Sequence, residues 1–310
     1  MKKIFIDGKA GTTGLRIEER LGSRDDIEII SLPEDKRKDP EARKKILNEA
    51  DIAFLCLPDD AARESVLMIE NPNTVVIDTS TAHRTNPAWA YGFPELDNSF
   101  EDKIKTSKRI AVPGCHAGGF IALVYPLVKA GIISKKALLT CHSITGYSGG
   151  GKSMIAEYQA EELPELLGAP RQYGVKQAHK HLPEMVAITG IEKAPVFSPI
   201  VSDFYSGMEV TVPLFAEWLC EGKTIEDVRA AYKKAYTGPL VSYNEAADES
   251  GFLSAAAYSN RDSMEISVHG NPDRFTVVAR YDNLGKGASG AAVECLNIVL
   301  GEDKTKTLVL

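Results

Sequence analysis

One cysteine stands where a covalent nucleophile would be expected. Cys115 lies in the segment Val112-Pro113-Gly114-Cys115-His116, where a strand is predicted to end and an apolar helix to begin. A thiol at a helix N-terminus feels the positive end of the helix dipole, which lowers its pKa and makes thiolate accessible near neutral pH. The other four cysteines lie in apolar runs or helices, as small core residues do: Cys56, Cys141, Cys220 and Cys295. Position alone leaves Cys115 open to two interpretations, a catalytic nucleophile and a buried structural thiol.

A second segment offers groups for proton transfer. His179-Lys180-His181-Leu182-Pro183-Glu184 contains two histidines two positions apart. Such a pair can chelate a metal, but no third ligand follows at a suitable spacing, so we predict no metal site. A general acid/base is the functional interpretation, with Glu184 close enough to set the tautomer of a histidine. Ordinary surface histidines are the alternative.

The N-terminal glycine pattern predicts a dinucleotide site. Gly8-Lys9-Ala10-Gly11-Thr12-Thr13-Gly14 has the spacing G-x-x-G-x-x-G, directly after a predicted strand and at the start of a helix. Glycines let the backbone approach a pyrophosphate, and the helix N-terminus offers it unpaired N–H groups. A tight strand-to-helix turn without a ligand is the alternative.

The end of the second predicted strand favours NADP as the cofactor. Folds that prefer NAD place an acidic residue there to hold the ribose hydroxyls. Here Ser31 ends the strand and the cations Lys36 and Arg37 follow shortly, which suits a 2′-phosphate. A solvated charged loop, which includes Glu34 and Asp35, is the alternative.

Residues 146–153, Gly-Tyr-Ser-Gly-Gly-Gly-Lys-Ser, satisfy the P-loop pattern between a predicted strand and a helix. Taken literally, the pattern indicates an ATPase or kinase. A glycine-rich turn with a lysine binds any phosphate, however, and no acidic metal ligand is found at the end of a later strand. We therefore predict a site for a substrate phosphate, with a flexible loop as the alternative.

The elements that position these groups divide into two patterns. Up to about residue 115, continuous apolar strands alternate with helices, which predicts a parallel sheet covered on both faces. Later strands alternate polar and apolar residues, as in a half-buried antiparallel sheet. The predicted fold class is α/β, with a Rossmann-type dinucleotide-binding domain and an α+β domain whose sheet is mostly antiparallel. The last helix, predicted over residues 288–300, is apolar enough to be buried.

Composition narrows the class of protein. The 310 residues carry 43 acidic against 36 basic side chains, a net charge of −7, which argues against nucleic acid or an anionic membrane as the main partner. No run approaches the roughly 18 apolar residues of a membrane helix. The N-terminus reaches its glycines too early for a signal-peptide core. Five cysteines without a C-x-x-C pair fit a reducing cytoplasmic compartment.

The motifs taken together resemble the shorter form of the N-acetyl-γ-glutamyl-phosphate reductases. The resemblance rests on the N-terminal glycines, P-G-C at Cys115, G-Y-S-G-G-G-K, H-x-H-L-P-E, N-L-G-K-G-A at residues 283–288, and Y-G-F-P-E-L at residues 91–96. It implies NADPH-dependent reduction of an acyl phosphate to an aldehyde in arginine biosynthesis. Cys115 would displace phosphate from N-acetyl-L-glutamyl 5-phosphate to form a thioester. Hydride would then give a thiohemiacetal that collapses to N-acetyl-L-glutamate 5-semialdehyde.

The resemblance also implies roles for individual residues. His181 would be the acid/base, with His179 as the second candidate and Glu184 in support. Arg84 would hold a substrate carboxylate. The site for the substrate phosphate would be lined by Ser148, Gly149 and Lys152. The cofactor-binding residues would be Gly8, Gly11, Thr12, Thr13, Gly14, Ser31, Arg37, Leu57, Ser80, Asn283 and Lys286, the last two at the nicotinamide end.

Domain boundaries and assembly follow from the same resemblance. It predicts an NADP-binding domain of residues 1–114 plus 285–310 and a catalytic and oligomerisation domain of residues 115–284. It also implies a homo-oligomer, a dimer or a tetramer, that acts on a small-molecule substrate.

One departure from the family pattern lies beside the nucleophile. Family members commonly read N-P-G-C-Y, whereas this chain has Val112 and His116 at the first and last of these positions. Three alternatives remain open at the level of sequence: an aspartate-semialdehyde dehydrogenase or related acyl-phosphate reductase, a P-loop ATPase or kinase using residues 146–153, and a catalytically silent NADP-binding regulator.

Overall fold

The structure is a computed structural model that describes residues 1–310, and it divides into two compact units. The first unit comprises Met1–Pro94, Asn98–Gly114 and Ala288–Leu308. The second comprises Glu95–Asp97, Cys115–Gly287 and Val309–Leu310.

The first unit is built on a six-stranded parallel sheet. Its strands are β1 (Lys2–Asp7), β2 (Ile27–Ile30), β3 (Ile52–Leu55), β4 (Val75–Asp78), β5 (Ala90–Tyr91) and β6 (Arg109–Ala111). Their order across the sheet is β2-β1-β3-β4-β6-β5. The helices of this unit are α1 (Thr12–Leu21), α2 (Pro40–Glu49), α3 (Asp59–Met68), α4 (Asn98–Thr106) and α9 (Gly290–Leu300).

Helices cover both faces of this sheet, as its continuous apolar strands predict. On one face, Ile4, Phe54 and Ile77 share a core with residues of α1, α4 and α9. On the other face, Phe5 and Val76 share a core with residues of α2 and α3. The order of strands and helices thus brings the carboxyl ends of β1, β2 and β3 to one edge, where such sheets bind ligands.

The second unit contains a seven-stranded mixed sheet in the order β11-β12-β13-β10-β7-β9-β8. Its strands are β7 (Thr140–Gly146), β8 (Arg171–Gln172), β9 (Val196–Ser202), β10 (Met208–Phe215), β11 (Val241–Tyr243), β12 (Met264–Gly270) and β13 (Arg274–Tyr281). β7 is parallel to β9 and β11 is parallel to β12, while the other neighbouring strands are antiparallel. Its helices are α5 (Cys115–Lys129), α6 (Gly151–Tyr158), α7 (Leu182–Thr189) and α8 (Ile225–Ala235).

One face of this sheet carries the apolar core. α5 packs on β10 and β13, and it also contacts α7 and α8. Along β10, the buried residues alternate with partly exposed ones, which is the pattern of a sheet covered on one face. The fold class predicted from the sequence is confirmed.

The last helix differs from its prediction at its start. Residues Gly285–Ser289 form a π-helical turn, and the regular helix α9 begins only at Gly290. Such turns are rare and occur mainly at functional sites. The sequence pattern does not predict β5, β8, β9, β11, α4 or α7, which are short or lack a clear period. No helix of the structure is long and apolar enough to cross a membrane.

Candidate active site

The first glycine turn is packed too tightly for side chains at two of its glycines. Gly8 has φ of +83°, and a Cβ there would lie 2.2 Å from the carbonyl oxygen of Cys56. A Cβ on Gly14 would lie 2.7 Å from the carbonyl oxygen of Gly8. Both positions therefore require glycine, the first for the turn and the second for packing of α1 against it. Gly11 precedes the helix, and Thr12 is its first residue.

A cavity of about 280 Å³ lies beside this turn in the first unit. It brings together four of the predicted cofactor residues, Gly8, Ser31, Arg37 and Leu57. The other lining residues are Phe5, Ile6, Asp7, Lys9, Ala10, Leu32, Lys38, Arg43 and Ala61. A glycine turn, a hydroxyl and several cations around one cavity fit the phosphates of a dinucleotide.

Two of the cations that line this cavity were missed at the level of sequence. Lys38 continues the basic run after the second strand, and Arg43 lies on α2. Nη2 of Arg43 is 2.9 Å from Oδ2 of Asp7, and the hydroxyl of Ser65 is 3.1 Å from the same oxygen. This pairing offsets the one acidic side chain among the residues that line the cavity.

Ser80 and Arg84 have main-chain and carboxylate partners within the first unit. The hydroxyl of Ser80 donates to Oδ2 of Asp78 over 2.7 Å. Arg84 is buried and donates to the carbonyl oxygens of Val112 and Thr79, each over 2.8 Å. These bonds fix the loop after β4, and the binding roles of Ser80 and Arg84 stay predictions.

Cys115 is the first residue of α5, and a distant tyrosine shapes the turn that carries it. The hydroxyl of Tyr281 donates to the carbonyl oxygen of Cys115 over 2.5 Å and accepts from the N–H of Gly119 over 3.0 Å. Those two main-chain groups pair with each other in an ordinary α-helix. Burial, and then the negative charge of Cys115, raises the pKa of Tyr281, so the hydroxyl keeps the proton that it donates.

This arrangement depends on a glycine in the same turn. A Cβ on Gly119 would lie 2.5 Å from the hydroxyl oxygen of Tyr281 and 2.6 Å from Cγ2 of Val210. Only glycine leaves room for the tyrosine to reach the main chain of α5. The first turn of the nucleophile's helix is therefore held open by a side chain from β13.

The π-helical turn approaches Cys115 from the other side. A Cβ on Gly287 would lie 3.1 Å from Cβ of Cys115, and one on Gly285 would lie 1.9 Å from the carbonyl oxygen of Arg261. The buried carboxylate of Asp282 fixes this turn by accepting from the N–H groups of Leu284 and Gly285. The chain at Gly285 is too close to its neighbours to carry a side chain, and a side chain at Gly287 would press against Cys115.

The two predicted nicotinamide-end residues lie in or next to this turn. Asn283 donates through Nδ2 to the hydroxyl of Ser148 over 3.0 Å, and its Oδ1 accepts from the N–H of Gly207. Nζ of Lys286 is 2.7 Å from Oε1 of Glu95, and both side chains are buried. Glu95 was not predicted as a site residue, although it belongs to the Y-G-F-P-E-L motif. Contact of Asn283 and Lys286 with a cofactor stays a prediction.

A cluster of rings in the second unit includes His116, the residue that follows Cys115. The His116 ring centroid is 5.8 Å from that of His179 and 5.7 Å from that of His181, and the latter two are 4.8 Å apart. Tyr173 and Phe197 complete this histidine cluster. The structure contains no group of three His, Cys, Asp or Glu side chains arranged to hold a metal ion.

The members of the predicted acid/base pair have different surroundings. His181 is buried at the start of α7, and its main-chain N–H donates to Nδ1 of the His179 ring over 3.2 Å. Burial, and then the charge of Lys180, lowers the pKa of His179, which keeps that ring neutral near pH 7. Glu184 is buried on α7. The geometry brings both histidines together with His116, and the assignment of the proton stays a prediction.

The glycine-rich segment of residues 146–153 spans two short helices. Tyr147–Gly150 is a 3₁₀ turn, and α6 starts at Gly151. Ser148 is buried, whereas Gly149 and Lys152 are exposed. The preceding strand β7 is antiparallel to β10, so it does not lie in the all-parallel sheet in which a P-loop is expected.

Comparison with known families and curated proteins gives consistent matches. A family model described as the NAD binding domain of semialdehyde dehydrogenase matches residues 13–106, and one described as its dimerisation domain matches residues 115–283. N-acetyl-gamma-glutamyl-phosphate reductase from Rhizobium etli (strain CIAT 652) is 46% identical over 305 residues, which cover 96% of this chain and 98% of the relative. The protein of the same name from Chelativorans sp. (strain BNC1) is 47% identical over 307 residues with the same coverage.

Solved structures share the fold at low sequence identity. Aspartate semialdehyde dehydrogenase II from Vibrio cholerae matches with a TM-score of 0.74 at 16% identity, over 97% of this chain and 99% of that one. Aspartate semialdehyde dehydrogenase from Candida albicans, solved with NADP, matches with a TM-score of 0.69 at 15% identity, over 97% and 98% of the two chains. These structures are similar to this chain in fold.

The hydroxyl of Tyr281 should control the reactivity of Cys115. In Tyr281→Phe we expect the N–H of Gly119 and the carbonyl of Cys115 to pair directly, which pulls the thiol out of its present position. Alkylation of Cys115 by iodoacetamide should slow several-fold at neutral pH. Loss of the buried hydrogen bonds should cost about 1 kcal/mol of unfolding free energy, measured by urea denaturation.

The matched control is Tyr232→Phe. The Tyr232 hydroxyl is also buried and donates to a carbonyl of α5, that of Leu123, over 2.6 Å. This variant should lose similar stability and keep the wild-type alkylation rate. Equal alkylation rates in both variants would show that Tyr281 supports only the fold.

Proposed function

The chain belongs to the semialdehyde dehydrogenase family and, as its motifs predict, to the N-acetyl-gamma-glutamyl-phosphate reductases within it, and on this basis we propose its reaction and the roles of its residues. The protein is an NADP-dependent oxidoreductase that reduces N-acetyl-L-glutamyl 5-phosphate to N-acetyl-L-glutamate 5-semialdehyde and phosphate. The identity of 46% over nearly the whole chain carries this conclusion. The reaction is a step of arginine biosynthesis.

Cys115 is the nucleophile in the proposed reaction. Its sulfur forms a bond to the acyl carbon, and the bond between that carbon and the phosphate oxygen breaks, which gives a thioester and free phosphate. When bound, NADPH would supply the hydride that reduces the thioester carbon to the thiohemiacetal of Cys115. The carbon–sulfur bond then breaks, which returns the thiolate and releases the aldehyde.

The residues around Cys115 have distinct roles in this proposal. Tyr281 and Gly119 hold the first turn of α5 so that the sulfur is presented at its end. His181 is the acid/base, with His179 as the second candidate and Glu184 in support. The phosphate is received by Ser148, Gly149 and Lys152, and the substrate carboxylate by Arg84.

The cavity of the first unit is the cofactor site. The glycine turn leads directly into α1, and the main-chain N–H groups at the start of that helix are the groups that would receive a pyrophosphate. Ser31 and Arg37 line the same cavity, and they are the groups that would receive a 2′-phosphate. Asn283 and Lys286 serve the nicotinamide end of the bound cofactor.

A homo-oligomer is part of the proposal, with the second unit as the contact. The family model that matches residues 115–283 is described as a dimerisation domain. In the second sheet, the face opposite α5 includes exposed apolar side chains on the two strands that flank β7, Val196 on β9 and Phe215 on β10. A second copy of the chain would cover them. A cytoplasmic location is proposed as well, supported by five free cysteines.

The reverse reaction tests the proposed function. N-acetyl-L-glutamate 5-semialdehyde and NADP should give reduced cofactor, followed by absorbance, only when inorganic phosphate is added. Cys115→Ala should abolish this turnover while NADPH binding, followed by fluorescence, stays nearly intact. Cys220→Ala, at another half-buried free cysteine, should keep wild-type activity.

Three outcomes would contradict parts of this proposal. Reaction of aspartate 4-semialdehyde alone would keep the thioester chemistry and replace the substrate. Near-wild-type activity of Cys115→Ala would exclude the mechanism, and tight binding of Mg·ATP without binding of NADPH would favour the nucleotide-hydrolysing alternative.

Preference for NADP should depend on Arg37. Charge reversal in Arg37→Glu removes a charge-assisted hydrogen bond, so KM for NADPH should rise roughly tenfold or more while KM for NADH changes little. Lys36→Ala is the matched control, since this neighbouring cation does not line the cavity. Equal changes for both cofactors in Arg37→Glu would place the 2′-phosphate elsewhere.

The exposed apolar face should control assembly. We expect the wild-type chain to sediment as a dimer or a tetramer and the double variant Val196→Glu/Phe215→Glu to shift toward smaller species, because buried charges at an interface are unfavourable. Leu67→Glu changes an exposed leucine on α3 in the first unit and should leave the oligomer unchanged. An unaltered sedimentation coefficient in the double variant would place the interface on another surface.

A further inference from the structure

His116 joins two hydroxyl groups at the start of the nucleophile's helix. Its Nδ1 is 2.6 Å from the hydroxyl oxygen of Ser143 on β7, and its Nε2 is 2.5 Å from the hydroxyl oxygen of Tyr173. The ring is only 3% exposed. It is therefore held in place at both nitrogens, directly after Cys115 in the chain.

The ring of His116 is neutral under working conditions. Burial, and then the neighbouring His179, lowers the pKa of His116 to about 3. His116 is thus excluded as the general base or acid near neutral pH. It can act only through the hydrogen bonds that its neutral ring makes.

A neutral imidazole donates from one nitrogen and accepts at the other. Two arrangements of protons are therefore consistent with the distances. In the first, Tyr173 donates to Nε2, and Nδ1–H donates to Ser143. In the second, Ser143 donates to Nδ1, and Nε2–H donates to the oxygen of Tyr173. Only the second leaves the proton of Tyr173 available to another acceptor.

Tyr173 lies in the histidine cluster, with its ring centroid 6.0 Å from that of His116, the residue after Cys115, and 5.9 Å from that of His179. Burial, and then the negative charge of Cys115, raises the pKa of Tyr173, so the hydroxyl stays protonated. The N–H of Tyr173 donates to the carbonyl oxygen of Pro199 on β9 over 3.0 Å, which anchors its main chain to the second sheet. A protonated hydroxyl next to a developing negative charge is the kind of group that stabilises an oxyanion or a thiolate.

We propose that Tyr173 is a hydrogen-bond donor to the reacting sulfur and acyl oxygen at Cys115, and that His116 is the positioning residue that leaves its proton free. The inference rests on the proposed function, which places a thioester on Cys115. His116 acts as its Nε2–H tautomer, and Ser143 selects this tautomer by donating to Nδ1. The histidine that replaces the family's tyrosine at position 116 thus has a defined task, as a fixed donor to Tyr173.

A double-mutant cycle on His116 and Tyr173 tests the connection. Tyr173→Phe and His116→Phe should each lower kcat of the reverse reaction roughly tenfold, the effect of one lost hydrogen bond to a charged group, with KM changed less than about twofold. If His116 acts through Tyr173, the double variant should be no slower than the slower single variant. Multiplied effects would show independent roles, and unchanged kcat in Tyr173→Phe would overturn the proposal.

A second readout needs neither substrate nor cofactor. The pH midpoint for alkylation of Cys115 should rise by about one unit in both single variants, because the thiolate loses a hydrogen-bond donor. Tyr258→Phe, whose hydroxyl donates to Glu265 over 2.9 Å, is the control and should keep the wild-type midpoint. An unshifted midpoint in Tyr173→Phe would contradict donation to the sulfur. If the wild-type enzyme converts neither aldehyde, the proposed function fails while this titration still tests Tyr173 and His116.

The tautomer of His116 can be measured directly in the wild-type protein. Nitrogen-15 NMR of the imidazole rings, assigned with His116→Phe, should show a protonated Nε2 and an unprotonated Nδ1. The opposite tautomer would commit the proton of Tyr173 to His116 and overturn the proposal. This measurement holds even if His116→Phe proves too unstable for kinetics, because replacing each of the other five histidines in turn assigns the His116 signals by elimination.

Discussion

The position of Cys115 depends on a tyrosine hydroxyl inserted into the first turn of its helix. Tyr281 bridges the carbonyl of Cys115 and the N–H of Gly119, two groups that would otherwise pair with each other. The bridge works because Gly119 has no side chain and because burial keeps the hydroxyl protonated. The hydrogen bond from Tyr281 on β13 thus holds Cys115, the first residue of α5. The position of the sulfur is therefore set by β13 as well as by α5.

Packing around the nucleophile follows from this constraint. β13 ends at Tyr281, and the carboxylate of Asp282 immediately after it fixes the π-helical turn that lies against Cys115. On the other side, His116, the second residue of α5, is hydrogen-bonded to Ser143 and Tyr173. The nucleophile is thus surrounded by groups whose own positions are fixed by hydrogen bonds. Such preorganisation lowers the reorganisation needed when charge develops.

The proposed cofactor site of the first unit follows a different principle. Its glycine turn fits only without side chains at Gly8 and Gly14, and most of its cations come from the loop and helix after β2. The requirement is local, because strand, turn and helix are contiguous in sequence. Arg43 is the exception, since it reaches the cavity from α2 and pairs with Asp7 at the end of β1.

The sequence by itself determined the parallel sheet of the first unit, the glycine turn, the position of Cys115 at a helix start and the family, because each of these depends on residues adjacent in the chain. Only the tertiary structure decided the environment of the nucleophile. Tyr281 and Cys115 are 166 positions apart, and Tyr173 and His116 are 57 apart. Their meeting depends on the order of strands and on helix packing, which leave no local pattern: a tyrosine at a strand end has the same sequence signal whether or not it reaches a helix carbonyl.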